Sequence, residues 1–322
     1  MWAPGVPAWS DVTVLDRREM SRPAHMARLL RTAPRFDATI LNGSARFHDL
    51  YHDLIAAVLL GRRRRPPQIV MAETAWDLGS APLSARFGRG GFGFESFVRF
   101  GVRSLDGEHV TYCVFSEEER DLFTQTFAIP RERVACLRFA HSLWSRVDGP
   151  IGDGGYVFAG GDSLRDFETL AAAVDGLDVP VRIGTNNPLG PLPANVTGGP
   201  VTPDEYNDLL AHARVVVVPM RAAARRGAGL ITYLNAMALG KAVIVSDTPA
   251  AREYVEQERT GLLVPAEDIT ALRGAIEWAF DPANADDRRE MGQRARESVL
   301  HPFEYWQSLR DVADRAAQRS AR

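Results

Sequence analysis

The sequence predicts an α/β protein built from two doubly wound, parallel-sheet domains facing a cleft. Three observations predict it. Short β-branched runs bounded by turn residues recur along the chain, amphipathic segments of helical length separate them, and the pattern restarts after the glycine-rich stretch "SRVDGPIGDGG", Ser145 to Gly155. A chain of 322 residues holds two cores at roughly 150 residues per domain.

In the first half, "VTVLD" (Val12 to Asp16), "FDATILNG", "PQIVMAET", "VTYCVFS" and "RVACLRFA" read as strands. "SARFHDLYHDLIAAVLLG" and "EEERDLFTQTF" place apolar residues at helical spacing between them, the second behind an N-cap serine. Glycines and a proline make "SRVDGPIGDGG" the linker candidate, which sets domains of residues 1–148 and 149–302. The second half repeats the alternation with "YVFAGG", "VPVRIGT", "ARVVVVPM", "KAVIVSD" and "GLLVPAED" as strands. Helices are expected near Leu164 to Asp175, Pro203 to Ala213, Leu230 to Leu239, Ala250 to Glu256 and Ile269 to Phe280, and residues 303–322 form a final helix.

Composition excludes several classes. A net charge of -3 gives no general field for nucleic acid. The two cysteines, Cys113 and Cys136, read as reduced residues rather than a disulfide framework, which fits a cytoplasmic location. No apolar run approaches the roughly 20 residues a membrane-spanning helix needs, and "MWAPGVPAWSD" lacks the pattern of a signal peptide.

The most informative stretch is "RRGAGLITYLNAMALGKAVIVSD", Arg225 to Asp247. Gly227 and Gly229 bracket a helix start directly after the strand "VVVVP", so backbone N–H groups and the positive helix end point outward at a sheet's carboxyl edge. That arrangement seats a phosphate; a plain strand-to-helix turn is the alternative use of the same glycines.

Gly229 to Asp247, with "TGLLVPAED", resembles the C-terminal half of the nucleotide-sugar glycosyltransferases of the GT-B fold, in the large, mostly retaining family with the pattern E-G-F-G-L-x-x-L-E-A-M-A-x-G-x-P-V. "YVFAGGDSLRDFETLAAA" and "LPANVTGGPVTPDEYNDLLAHARVVVVP" are similar to two further stretches of that family, and the likeness covers most of Tyr156 to Phe303. It implies transfer of a sugar from a nucleoside-diphosphate sugar, UDP-linked among others, to a hydroxyl acceptor. The nucleotide sugar is then a substrate, and no cofactor is implied.

Roles carry over by position. Backbone N–H groups of Gly227, Ala228, Gly229 and Leu230 would hold the donor diphosphate, and Gly160 and Gly161 stand in the family's glycine turn on the donor side. Arg165, standing where the family has a lysine, would neutralise the diphosphate, with Arg221, Arg225 and Arg226 as alternative phosphate partners. Gly199, Pro200 and Val201 would border the base, and Asn235 would face the ribose. The blander uses are a surface pairing of Arg165 with Asp162 or Asp166, solvated loop charges for the other arginines, and a solvated helix position for Asn235. Where the family has two glutamates, with seven residues between them, this chain has Gly227 and Asn235. An amide can bridge a hydroxyl but cannot act as a base.

The first half is expected to supply the acceptor site, for a sugar, lipid-linked or small-molecule acceptor, and any general base. Loops after strand carboxyl ends nominate Glu73, Asp77 and His141, each with a helix-capping or structural use as the alternative. With no D-x-D triplet and no cysteine–histidine cluster, metal use has little support. His48 and His52 lie one helical turn apart but lack a third ligand and read as a surface helix face. Arg62, Arg63, Arg64 and Arg65 complement a helix C-terminus or touch an anionic membrane face. Met1 to Ser10 shows neither the extra strand nor the glycine-rich loop with which the family opens, so the first domain is expected to be trimmed or preceded by further sequence. The last helix is expected to cross back to the first domain. The rivals are a catalytically silent relative serving as a nucleotide-sugar-binding partner or sensor, and a nucleotide-sugar epimerase.

Overall fold

The structure is a computed structural model that describes residues 9–16, 19–43, 52–74, 92–143, 151–224 and 227–320. The chain forms two compact units, residues 1–138 with 302–322, and residues 139–301.

The first unit runs α1 (Arg22–Thr32), β1 (Ala38–Asn42), α2 (His52–Gly61), β2 (Gln68–Ala72), α3 (Phe92–Leu105), β3 (Val110–Val114), α4 (Glu117–Phe127) and β4 (Val134–Cys136). Its four strands pair in the order β1-β2-β3-β4, all parallel, with Ile69 opposite Val110 and Tyr112 opposite Val134. Every residue of β2 and β3 is buried, as expected of central strands covered on both faces. α4 starts as its sequence dictates: Ser116 Oγ accepts from Glu119 N at 3.0 Å.

The second unit runs β5 (Val157–Gly160), α5 (Phe167–Val174), β6 (Val181–Gly184), β7 (Val196–Gly199), α6 (Pro203–His212), β8 (Val215–Val218), α7 (Leu230–Ala238), β9 (Ala242–Ser246), α8 (Pro249–Tyr254), β10 (Leu262–Val264), α9 (Ile269–Phe280) and α10 (Ala285–Ser298). The six strands, all parallel, order as β10-β9-β8-β5-β6-β7. The chain enters the sheet at its middle, builds outward through β6 to β7, then returns to β8 and builds the other way. The strand order therefore reverses between β5 and β8, and their carboxyl ends frame a crevice.

Helix α11 (Pro302–Ser320) folds with the first unit, where Arg310 pairs with Asp11 at 2.5 Å and Arg319 donates to Thr111 Oγ1 at 2.5 Å. At the other crossing, Phe139–Leu143 belongs to the second unit: Phe139 N donates to the Tyr254 hydroxyl at 2.9 Å. The described part of the glycine-rich stretch also docks there. Gly154 N donates to His212 O at 2.7 Å, and the Lys241 ammonium reaches Gly152 O and Ala213 O at 2.5 and 2.9 Å.

Two strand assignments differ from the sequence reading. Val12 to Asp16 is irregular rather than a strand; Val12 and Val14 are exposed, and the Leu15 carbonyl is met by the His25 ring at 3.2 Å instead of a ladder partner. β-branched residues make a strand only where a neighbouring edge receives them. Val196–Gly199, absent from the strands read in the sequence, is the edge strand β7. Its two glycines mask it, since glycine inside a strand is tolerated mainly at edges and bends.

Candidate functional site

At the strand-order reversal, β5 ends in Gly160 and the chain turns through Gly161, whose φ of 109° only glycine adopts without strain. Arg165 follows, bridged by its backbone to Met220 just past the end of β8. Its side chain, 8% exposed, folds back under the turn. Nε donates to Gly160 O at 2.8 Å, Nη1 to Ser163 O at 3.0 Å and Nη2 to Thr232 Oγ1 at 3.1 Å, with Met220 Sδ 3.1 Å from Nη1. These four acceptors fix the orientation of the guanidinium. The alternative use of Arg165, on the surface beside Asp162 or Asp166, does not fit its burial: Gly161 leaves room for the side chain, a Cβ there standing 2.6 Å from Nη2.

The same guanidinium lies beside the start of α7. A Cβ on Gly229 would stand 3.4 Å from Arg165 Nη1 and 3.0 Å from Val218 Cγ1, and Gly229 itself has a φ of 88°. α5, α6, α8 and α9 begin with side-chain caps from Asp166, Thr202, Thr248 and Asp268; α7 begins at Gly229 with none. Gly229 O receives Thr232 N at 2.9 Å and Tyr233 N at 3.3 Å, and the amides of Leu230 and Ile231 ahead of them have no carbonyl of their own helix to receive them. Ala228 is buried, whereas Gly227 and Gly229 on either side are only half-buried, so the corner is not sealed. An uncapped helix N-terminus next to an oriented cation is an arrangement that holds an anion. Arg225 lies outside the described residues.

On the β6 side, Gly199 O accepts from Thr185 N at 2.9 Å, and Val201 packs against Gly184 before Thr202 and Glu205 close a capping box on α6. Pro200 sits exposed between them. Asp162 pins the neighbouring loop, accepting from Thr185 Oγ1 and Asn186 N at 2.8 Å each and from Asn186 Nδ2 at 2.9 Å. Burial pushes the Asp162 carboxyl up, but the Asn186 and Thr185 donors and the Arg165 charge outweigh it and hold it below the ordinary range.

Asn235 is not a solvated helix position. It is 3% exposed, and its amide is engaged by Ser142: Oδ1 accepts from Ser142 N at 2.7 Å and Nδ2 donates to Ser142 Oγ at 3.0 Å. His141, next to it, is buried against the His301 ring with centroids 6.1 Å apart. Burial, then the His301 charge, lowers its pKa to about 4, so the ring is neutral near pH 7. Its Nδ1 is buried with no hydrogen-bond partner among the described residues.

In the first unit, Glu73 follows the carboxyl end of β2 in a left-handed conformation, φ 56°. Asp77 and His48 lie outside the described residues. His52 is buried rather than on a surface face, its ring tilted against that of His25 with centroids 4.9 Å apart and its Nδ1 3.1 Å from Asp53. Arg62–Arg65 are exposed at the end of α2, and Arg63 reaches Leu30 O at 3.0 Å. Sequence reasoning passed over Tyr206, Thr232 and Met220, the residues that surround Arg165; one signal for Thr232 is its place in the first turn of the uncapped helix.

Residues 191–281 match the protein family described as "Glycosyl transferases group 1". Among solved structures, the chain is similar to Anabaena HepE, solved with UDP and glucose: TM-score 0.65, 14% identity, 94% of this chain and 84% of that one. It is also similar to sucrose-phosphate synthase from Thermosynechococcus elongatus, with TM-score 0.61, 17% identity and coverage of 98% and 86%. A glycosyltransferase from Rickettsia africae matches with TM-score 0.59, 11% identity and coverage of 95% and 84%. No curated protein matches the sequence. Two α/β units with parallel sheets of four and six strands, matching these structures, show the GT-B fold.

Proposed function

We propose that this chain, a GT-B fold carrying a group 1 glycosyl transferase segment, moves a sugar from a nucleoside-diphosphate sugar to a hydroxyl acceptor. The observation that carries the reading is the uncapped start of α7 at Gly229, set beside the buried Arg165 guanidinium at the reversal of strand order. As the bond between the sugar's anomeric carbon and the diphosphate oxygen breaks, negative charge grows on that oxygen. Fixed N–H groups from Gly227 to Leu230 and the guanidinium stabilise this charge more in the transition state than in the ground state. The Gly160–Gly161 turn borders the phosphates and makes room for Arg165, Arg225 adds charge, and Gly199, Pro200 and Val201 border the base. The binding of UDP and UDP-glucose by HepE supports a uridine donor.

Protein groups alone stabilise the diphosphate in this reading, without a metal. Transfer is retaining: the departing diphosphate takes the acceptor's proton, and the sugar leaves one oxygen for another on the same face. Glu73 and Asp77 are the alternative bases, His141 being neutral but buried. The first unit supplies the sugar, lipid-linked or small-molecule acceptor. A cytoplasmic protein touching an anionic membrane face through Arg62–Arg65 fits their exposure.

One observation favours a second reading, a silent nucleotide-sugar-binding relative. Gly227 and Asn235 stand where the resembled family has carboxylates, and Asn235 is tied to Ser142. Release of UDP, GDP or TDP from a panel of donor sugars, with and without acceptors, decides. Acceptor-dependent release supports transfer; donor binding without release supports the silent relative; epimerised donor supports neither.

A further inference from the structure

The Arg165 guanidinium is the end of a hydrogen-bonded series that starts on another helix. Tyr206, on α6, sets its hydroxyl 2.9 Å from Thr232 Oγ1, and Thr232, in the first turn of α7, receives Arg165 Nη2 at 3.1 Å. A guanidinium only donates, so Thr232 must accept from it and shares its remaining capacity with Tyr206. Thr232 is 4% exposed, so neither bond is replaced cheaply by water.

The phenol is fixed as firmly as the hydroxyl it meets. Its ring packs edge-on to Phe158 with centroids 5.0 Å apart, and it fills the space a side chain at position 160 would need, a Cβ there standing 2.5 Å from the ring. It also borders Gly184, whose Cβ would lie 3.4 Å from Cδ2 and 3.0 Å from Val201 Cγ2. Tyr206 thus packs against β5 and β6 together, one turn after the Gly199 to Val201 corner, and reaches Arg165 through Thr232. Burial raises the phenol's pKa, opposed by Thr232 and the Arg165 charge, so it remains protonated at neutral pH.

We propose that Tyr206 and Thr232 are positioning residues that hold the Arg165 guanidinium against the Gly229 end of α7, setting the affinity of this site for a diphosphate. The inference rests on the proposed donor site and names what orients its cation. Without Thr232 Oγ1 the guanidinium loses an acceptor and can swing out of register with the helix amides. The phosphate then loses strength while the base does not.

Calorimetric titration of the whole chain with UDP, inorganic pyrophosphate and uridine tests this, beside thermal melts of each variant. Thr232→Val is expected to weaken UDP and pyrophosphate by the same factor, about tenfold, the scale of one hydrogen bond to a charged group, and Tyr206→Phe, which removes a bond between two hydroxyls, to weaken both by a common factor of about fivefold. Uridine affinity is expected to stay at the wild-type value, and Thr232→Ser, which restores the oxygen, to recover diphosphate affinity. Equal loss for uridine would mark a general structural defect and overturn the proposal. So would folded Thr232→Val and Tyr206→Phe variants that bind pyrophosphate as wild type does. Should Thr232→Val fail to fold, Tyr206→Phe carries the same test, since it removes one hydroxyl and keeps the ring. A wild-type chain that binds neither UDP nor pyrophosphate would instead reject the donor site itself.

Discussion

The Asn235 amide grips Ser142 with both of its polar atoms, accepting from the backbone N–H at 2.7 Å and donating to the hydroxyl at 3.0 Å. This clamp ties α7 to residues 139–143. Asn235→Ala leaves the Ser142 N–H unsatisfied and is expected to cost roughly 1–3 kcal/mol of stability, read from the urea midpoint. Titration with UDP and pyrophosphate separates the clamp from a ribose contact. Unequal losses for the two ligands would give Asn235 a nucleotide-binding role as well.

Close approach of backbones makes a second prediction. Gly292 of α10 packs on the Gly240 turn, where an added Cβ would stand 2.0 Å from Gly240 O. Gly292→Ala gains helix propensity of about 1 kcal/mol, but the collision is with backbone and cannot rotate away. Net destabilisation of about 1–3 kcal/mol is expected, as a lower denaturant midpoint with an unchanged slope.

His141 gives a pH dependence with a definite sign. Its folded pKa, lowered to about 4 by burial and then by His301, lies below the model-compound value of 6.5. Between these values the unfolded chain binds the extra proton, so stability is lost as pH falls from 6.5 toward 4. His141→Asn is expected to remove up to one proton from the pH slope of unfolding across that window. An unchanged slope in acid titrations of stability would place the acid sensitivity elsewhere.

Removing the cation is expected to weaken the proposed diphosphate site directly. Arg165→Ala is expected to lose roughly 1.5–3 kcal/mol of UDP affinity, the scale of a hydrogen bond to a charged group. Arg165→Lys recovers only part, since an ammonium lacks the planar fork that meets Gly160 O and Thr232 Oγ1 together. Calorimetry on the three proteins reads both effects.

Local pattern carried much of the fold. Val215–Val218 is a buried β-branched run and is a strand; Ile269–Phe280 has apolar periodicity behind Asp268 and is a helix. Ala285–Ser298 escaped because only Met291, Gly292 and Ala295 of it are buried, too few to print a period. The glycine corner at the start of α7 was legible because glycine and helix geometry are local. Its surroundings were not: Thr232 lies 67 residues from Arg165, and Asn235 lies 93 from Ser142. Such pairings are made by the parallel sheet and leave no mark on either stretch alone.

The central claim is tested most directly by the structure of the chain with UDP. The account predicts diphosphate oxygens within about 3 Å of the first amides of α7, with the Arg165 guanidinium beside them. UDP bound with its diphosphate elsewhere, or the Gly229 corner closed to it, would contradict it.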